Sequence, residues 1–209
     1  MGSVLYLHGF ASGAGSSKGK YFRERLGRLG IPVDLPDLEG ADFEGLTLTR
    51  QLGVVDRCVR EREPAVILGS SLGGYVAALW AARNPGRCRL VLLAPGFGFA
   101  RRWPRRLGEE TLRQWRERGW MEVYHYGRQA VCRVGYGLIE DGEQYEDYPE
   151  VRDPTLVYHG VRDEVVPAAW SEEFAAGRGN VKLRLVDSDH QLLDALDEIW
   201  DGVAEDLRI

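Results

Sequence analysis

The sequence predicts an α/β protein built on a mostly parallel sheet, and three observations carry that expectation. Short apolar runs rich in Val, Ile and Leu recur along the 209 residues. Stretches with the three-to-four apolar spacing of amphipathic helices lie between them. Two of the runs, AVIL at 65–68 and LVLLA at 90–94, are apolar throughout, as strands covered on both faces are. Strands that alternate with helices in this way build a parallel sheet of about six strands with helices on both faces.

Taken in chain order, Val4–Leu7 is the first strand, and a Gly/Ser-rich tract (ASGAGSSKG, 11–19) leads from it into a helix over Lys20–Leu29. Ile31–Leu35 is a weaker strand. A helix over Leu46–Glu63 ends before Pro64, and Ala65–Leu68 follows as a strand. The spacing predicts a helix over Leu72–Arg83 that Asn84-Pro85-Gly86 stops, because proline and glycine cannot extend it. Leu90–Ala94, Thr155–His159 and Lys182–Val186 complete the strands, with helices over Ala168–Arg178 and Gln191–Leu207. Gly96–Pro149 breaks the rhythm. It offers no convincing strand, holds ten of the 21 aromatic residues, starts basic (RRWPRR, 101–106) and ends acidic (EDGEQYEDYPE, 140–150). We read it as a mostly helical cap or lid insertion at about 96–150, with a flexible exit, within a single domain spanning 1–209.

Composition narrows the class. The apolar share of 44% is that of an ordinary globular chain, and a net charge of −5 gives no reason to expect a nucleic-acid partner. No window reaches the roughly 18 apolar residues of a membrane span. Met1-Gly2-Ser3 leads into VLYL without the basic region of a signal peptide. Cys58, Cys88 and Cys132 are few and widely spaced, which fits reduced thiols in a cytoplasmic protein rather than a disulfide or zinc framework. Oligomeric state is not legible.

The chemistry begins at Gly69-Ser70-Ser71-Leu72-Gly73, where a buried-type strand hands over to a helix. A tight strand-to-helix turn strains its apex residue and needs very small neighbours two positions away on each side, which is the G-x-S-x-G spacing. On this reading Ser71 is a nucleophile raised at the carboxyl end of the sheet. On the plainer one the turn merely needs small residues. Ser70, without flanking glycines at those offsets, supports the turn. A serine hydroxyl attacks only when a base takes its proton and a third group orients the base. His190, after the last strand, can be that base, or else a polar residue at the start of a helix. Asp163, in the loop after the preceding strand, can be the acid, or else a turn residue. Asp187 and Asp189 are local rivals, too close to His190 in sequence to face its ring nitrogen. The order Ser71, Asp163, His190 is one known for this triad. Acyl transfer also needs two N–H donors for the oxyanion; the amides of Phe10, in the His8-Gly9-Phe10 turn, and of Leu72 are the candidates. His8 and His159 are read as structural, and His125 has no assigned role.

These stretches together resemble the α/β-hydrolase superfamily. LHGF (7–10), GSSLGG (69–74), HGVRDEVVP (159–167) and SDH (188–190) are similar to its oxyanion turn, nucleophile elbow, acid loop and histidine loop. Small bacterial esterases and the acyl thioesterase and peptidase-like branch are the nearest in pattern. The resemblance implies Ser71 as nucleophile, Asp163 as acid, His190 as base, and Phe10 and Leu72 as oxyanion donors. It implies a small-molecule ester or thioester substrate and no metal or organic cofactor. The full fold has eight strands, whereas this chain starts at what would be the third. HGF in place of HGGG argues against a bulky lipase-type site. Phe97, Phe99, Trp103, Trp115, Trp120 and Tyr124 of the insertion either line a pocket for an apolar acyl or aryl group or form the cap's own core. Arg101, Arg102, Arg105 and Arg106 are either a solvated face or a lure for an anionic leaving group such as coenzyme A. The expected activity is serine esterase or thioesterase. An amidase, peptidase or perhydrolase with the same triad, and a non-catalytic ligand receptor on the same fold, are the alternatives.

Overall fold

A computed structural model describes residues 2–209. Its central sheet contains β1 (Val4–Leu7), β2 (Val33–Asp34), β3 (Val66–Ser70), β4 (Arg89–Leu93), β7 (Thr155–Gly160) and β8 (Val181–Val186). The six are all parallel, in the order β2-β1-β3-β4-β7-β8. Alternation along each strand builds two cores. Leu5, Leu7, Ile67, Leu90, Leu92 and Val157 face α2 (Leu48–Arg62), α3 (Leu72–Arg83) and α7 (Ala169–Ala175). Val4, Tyr6, Val66, Leu68, Val91 and Leu156 face α1 (Ser17–Arg28) and α8 (Leu196–Leu207). A side-chain period of two on a doubly covered sheet requires this division. The expected class is therefore the observed one.

The strand order reverses between β1 and β3. The chain moves from β1 outward to β2, then returns to the other side of β1 and continues to β8. Loops leaving adjacent strands in opposite directions open a crevice at their carboxyl ends. Register pairs Leu7 with Gly69 across that junction, so the loops at Phe10 and Ser71 start side by side.

Residues 94–154 depart and return without cutting the sheet, because β4 pairs directly with β7, Leu90 opposite Thr155 and Leu93 opposite Tyr158. They contain α4 (Phe99–Leu107), α5 (Glu109–Arg118) and α6 (Gly137–Gly142), and also an antiparallel hairpin of β5 (Trp120–His125) and β6 (Ala130–Gly135). The hairpin corrects the expectation of no strand here. WMEVYH and AVCRVG are short and largely exposed, with only His125 and Val134 buried. They lack the apolar run by which a buried strand is read. The hairpin is bound into the molecule by its ends. Gly135 N–H donates to Glu44 O (2.8 Å), Tyr126 N–H to Ala11 O (2.8 Å), and His125 Nε2–H to the buried Glu39 carboxylate (2.6 Å). Arg128 N–H occupies His125 Nδ1 (3.1 Å), which sets that tautomer.

The acidic stretch expected to be a flexible exit is instead clamped. The Arg101 guanidinium donates to Glu143 O, Tyr145 O and Asp147; Tyr75 O–H donates to Glu146 O; and Arg178 donates to Pro149 O. The basic start of the insertion thus closes on its acidic end. Several boundaries also shift, with α1 starting at Ser17 rather than Lys20 and α7 ending at Ala175 rather than Arg178. β2 is two residues long, and α8 begins at Leu196 rather than Gln191, because residues 190–195 form a turn anchored on Asp189.

Two glycines test this packing. A methyl group at Gly73 would overlap the carbonyl oxygens of Leu7 and His8, whereas one at Gly53, exposed in the middle of α2, would meet nothing. Urea unfolding should show Gly73→Ala less stable by about 1–3 kcal/mol or more, and Gly53→Ala more stable by about 0.5–1 kcal/mol.

Candidate active site

β3 ends at Ser70 and α3 begins at Leu72, so Ser71 alone makes the turn. Its φ of 52° and ψ of −120° lie where a side chain is costly, by about 1–3 kcal/mol. The surroundings over-determine it. Ser71 N–H donates to Leu93 O (2.9 Å), and Ser71 O accepts from the N–H groups of Gly74, Tyr75 and Gly96 (3.0, 3.1 and 2.9 Å). Gly69 and Gly73 permit the turn through space, since a methyl group on Gly69 would collide with Gly73 O and Gly74 Cα.

The loop after β8 carries His190 to this serine, with Nε2 3.0 Å from Ser71 Oγ and Nδ1 2.7 Å from Asp163 Oδ2. A carboxylate only accepts, so Nδ1 bears the proton and Nε2 is left to accept the Ser71 hydroxyl. Asp163 is buried and accepts four hydrogen bonds. Oδ1 takes the N–H groups of Val165 (2.8 Å) and Val166 (2.7 Å), and Oδ2 takes His190 and His159 Nε2 (3.1 Å). His159 is itself fully buried. Its Nε2–H also faces Val166 O (2.8 Å), and its Nδ1 accepts from the Ser171 hydroxyl at the start of α7 (2.7 Å). Sequence reasoning read His159 as structural without seeing that it braces the acid. The rivals are engaged elsewhere: Asp187 pairs with Arg162 (2.7 Å), and Asp189 Oδ1 accepts from Gln191 N–H (2.8 Å).

Phe10 and Leu72 both line the cleft in front of Ser71. Among the described residues, neither amide donates to a backbone carbonyl, and Leu72, first in α3, has no acceptor within its own helix. His8 holds the Phe10 turn. Its Nδ1–H donates to Gly9 O (2.9 Å), and its Nε2 accepts Leu38 N–H (3.1 Å).

The cleft has a volume of about 900 Å³. Phe10, Phe99 and Trp103 form an aromatic wall along it, with Phe10 and Trp103 centroids 5.3 Å apart and Phe99 stacked on Trp103 at 5.0 Å. The other four aromatics considered for substrate lie outside the cleft, which corrects that expectation; Tyr124 is exposed and packs edge-on against Tyr126 (5.2 Å). Phe97 is wholly buried and stacks on Phe174 (4.2 Å), under the cleft rather than in it. Trp115 is core, its Nε1–H donating to Val134 O (3.1 Å) while its ring supports Trp103 edge-on. Trp120 lies in a separate shallow depression of about 320 Å³, beneath the Arg133 guanidinium. Large aromatics spaced through a small insertion had to supply its core first. Trp170 and Lys18, which the sequence analysis passed over, do line the cleft.

Arg101, Arg102 and Arg106 are structural ties, whereas Arg105 is exposed. Arg102 lies over the rings of Tyr148 and Trp170 (4.8 and 4.3 Å), and Arg106 donates to the carbonyls of Glu164 and Val165, pinning α4 to the acid loop. Among the described residues, no group of three or more His, Cys, Asp or Glu side chains is arranged to hold a metal ion. None of the helices described is long and apolar enough to cross a membrane.

Burial works to raise the Asp163 carboxyl, but its hydrogen bonds to His159 and His190, the His190 charge and the Val166 N–H outweigh it and hold the carboxyl well below the ordinary carboxylate range. A carboxyl depressed on folding adds stability above its unfolded value of about 3.9, and that stability is lost as pH falls through the folded value. Chemical unfolding of the wild type and Asp163→Asn should therefore show a gap that is full at pH 7 and narrows below about pH 4.

Comparisons with known proteins agree with this fold. A family model described as "Uncharacterised protein family (UPF0227)" matches residues 3–204. Among solved structures, mouse alpha/beta hydrolase domain-containing protein 10 superposes with a TM-score of 0.82 at 21% identity, over 99% of this chain and 90% of that one. Est1E from Butyrivibrio proteoclasticus, solved with ferulic acid, gives 0.78 at 20% identity over 99% and 88%. An esterase from Exiguobacterium antarcticum gives 0.70 at 18% over 100% and 94%. In sequence, the chain is 24% identical to a pimeloyl-[acyl-carrier protein] methyl ester esterase of Chromobacterium violaceum, over 50% of this chain. It spans about half the length, 54%, of that curated relative. The chain belongs to the UPF0227 family and has the fold of the α/β hydrolases it superposes on.

Proposed function

We propose that this UPF0227 member is a serine hydrolase that cleaves a carboxylic ester or thioester through an acyl-enzyme on Ser71. The observation that carries the reading is the continuous hydrogen-bonded path from Ser71 Oγ through the His190 ring to Asp163 Oδ2, with steps of 3.0 and 2.7 Å. A structural serine needs neither a strained backbone nor a half-buried, oriented imidazole. His190 Nε2 takes the hydroxyl proton as Ser71 attacks the carbonyl carbon, and the N–H groups of Phe10 and Leu72 receive the oxyanion. Protonated His190 then hands its proton to the leaving group. In the second half, it activates a water that releases the acid. Asp163 keeps the proton on Nδ1 throughout and stabilises the imidazolium.

The segment 96–150 serves as a cap over this site, and the Phe10, Phe99 and Trp103 wall accepts the acyl or aryl part of the substrate. The Chromobacterium relative is by name a methyl ester esterase, which supports an ester substrate. The ester reading is preferred over amide cleavage because the curated relative is an esterase.

The test is labelling with a fluorophosphonate probe alongside turnover of p-nitrophenyl acetate and butyrate. The native protein should label and turn over. Ser71→Ala should lose the label, and Ser71→Ala and His190→Ala should each lose about 10³–10⁶-fold in kcat with the fold intact by circular dichroism. Labelling that survives in Ser71→Ala would remove the nucleophile from this reading. In the cleft wall, Trp103→Ala should raise KM for the butyrate ester more than for the acetate, since only the longer chain reaches the aromatic wall.

A further inference from the structure

Among the described residues, two of the cations that line the cleft, Arg106 and Lys18, form no ion pair. Arg162 pairs with Asp187 and Asp194, and Arg106 is spent on two backbone carbonyls. Lys18 makes one contact, its Nζ donating to Gln191 O at 2.8 Å, and forms no ion pair with a carboxylate. It stands at the start of α1, beside Gly15, Ser16 and Ser17 in the cleft wall. An ammonium keeps three donors, so two remain directed away from Gln191.

Its position says which part of a substrate it meets. Gln191 follows His190, the residue that must give a proton to the leaving group. The aromatic wall of Phe99 and Trp103 packs instead on the ring of Phe10, the residue whose amide is a candidate oxyanion donor. The cleft therefore has an apolar end by the oxyanion donors and a cationic end by the histidine.

We propose that Lys18 recognises an anionic group, a carboxylate or a phosphate, on the leaving-group side of the ester or thioester, and so sets the substrate class of the enzyme. The proposal rests on the serine-hydrolase reading of Ser71. The nearest carboxylates do not satisfy the ammonium: Asp189 is engaged by the N–H of Gln191, and Asp163 by its four donors. Burial pulls Lys18 down to about 8, and the charges of Asp189 and Asp163 only partly offset it. An arriving anion restores the stability of the charged form.

The test compares two acetate esters of similar leaving-group reactivity, 4-acetoxybenzoate (anionic) and 4-acetoxybenzamide (neutral), with 4-acetoxyphenyl phosphate as the phosphate arm. In wild type, kcat/KM should favour an anionic ester over the neutral one by about ten- to a hundredfold, the range for a charge-assisted hydrogen bond. The ratio should fall to about one in Lys18→Met, fall below it in Lys18→Glu, and recover in part in Lys18→Arg. The stronger of the two anionic arms identifies the group. A wild type without preference overturns the proposal. So does a Lys18→Met that slows all esters equally with the ratio intact, because Lys18 would then only tether the His190 loop. Calorimetry on Ser71→Ala separates the proposal from the reading beneath it. Without turnover, 4-hydroxybenzoate should bind more tightly than 4-hydroxybenzamide, and Lys18→Met should remove the difference. Should Ser71→Ala keep native turnover, the nucleophile is wrong, while the calorimetric difference still decides Lys18.

Discussion

The carboxylate of Asp163 organises the candidate site at the carboxyl edge of the sheet. A buried anion costs several kcal/mol unless donors surround it, and here four do. Two come from its own loop, at Val165 and Val166, one from His159 at the end of β7, and one from His190 beyond β8. Satisfying this single charge fixes the acid loop and draws the histidine loop inward. Through Ser171 it also ties α7 to the same point. His190 consequently has one orientation in which both ring nitrogens are used. The distance to Ser71 follows from that orientation.

The insertion obeys a similar economy of charge. By sequence its basic start reads as a solvated face or a lure for an anion and its acidic end as a flexible exit, yet Arg101 reaches Asp147 and the carbonyls around it. Because those ends meet, residues 94–154 close over themselves around a small core, in which Trp115, Val134 and Tyr136 are buried together with Ala11, Phe43 and Leu46 from the rest of the chain. Arg106 then joins this body to the acid loop. The insertion and the Asp163 loop are mechanically continuous.

What could be read from the sequence follows from how local the constraint is. The Gly69-Ser71-Gly73 spacing is a steric demand within five residues, and AVIL and LVLLA carry their burial in their composition, so elbow and sheet were legible. Loop placement after β7 and β8 made Asp163 and His190 legible as a pair. The brace by His159 was not, because it depends on Ser171 arriving from α7. The hairpin was hidden because Glu122 faces Arg133 across it, and a polar, half-exposed ladder has no apolar signature. Phe97, Trp115 and Trp120 misled for a related reason. An aromatic residue records that something apolar is near, and whether that is a ligand or a core is decided by neighbours distant in sequence. Lys18, one lysine at the end of a glycine-rich tract, carried no signal until Gln191 was beside it.

The crevice itself explains why these parts can act together. Phe10 follows β1, Leu72 follows β3, and the two strands are neighbours only because the chain reverses direction between them. Two amides from loops that diverge can be left unpaired at one place, where amides within a single loop would tend to find carbonyls of their own. The free donors are then held by the sheet rather than by a flexible segment, at fixed separation from Ser71. A strained serine can persist there because Leu93 O and the N–H groups of Gly74, Tyr75 and Gly96 oppose its relaxation from three sides. Strain, free amides and an oriented imidazole are each unfavourable alone. The parallel sheet makes all three affordable at the one edge where its strands end and its loops part.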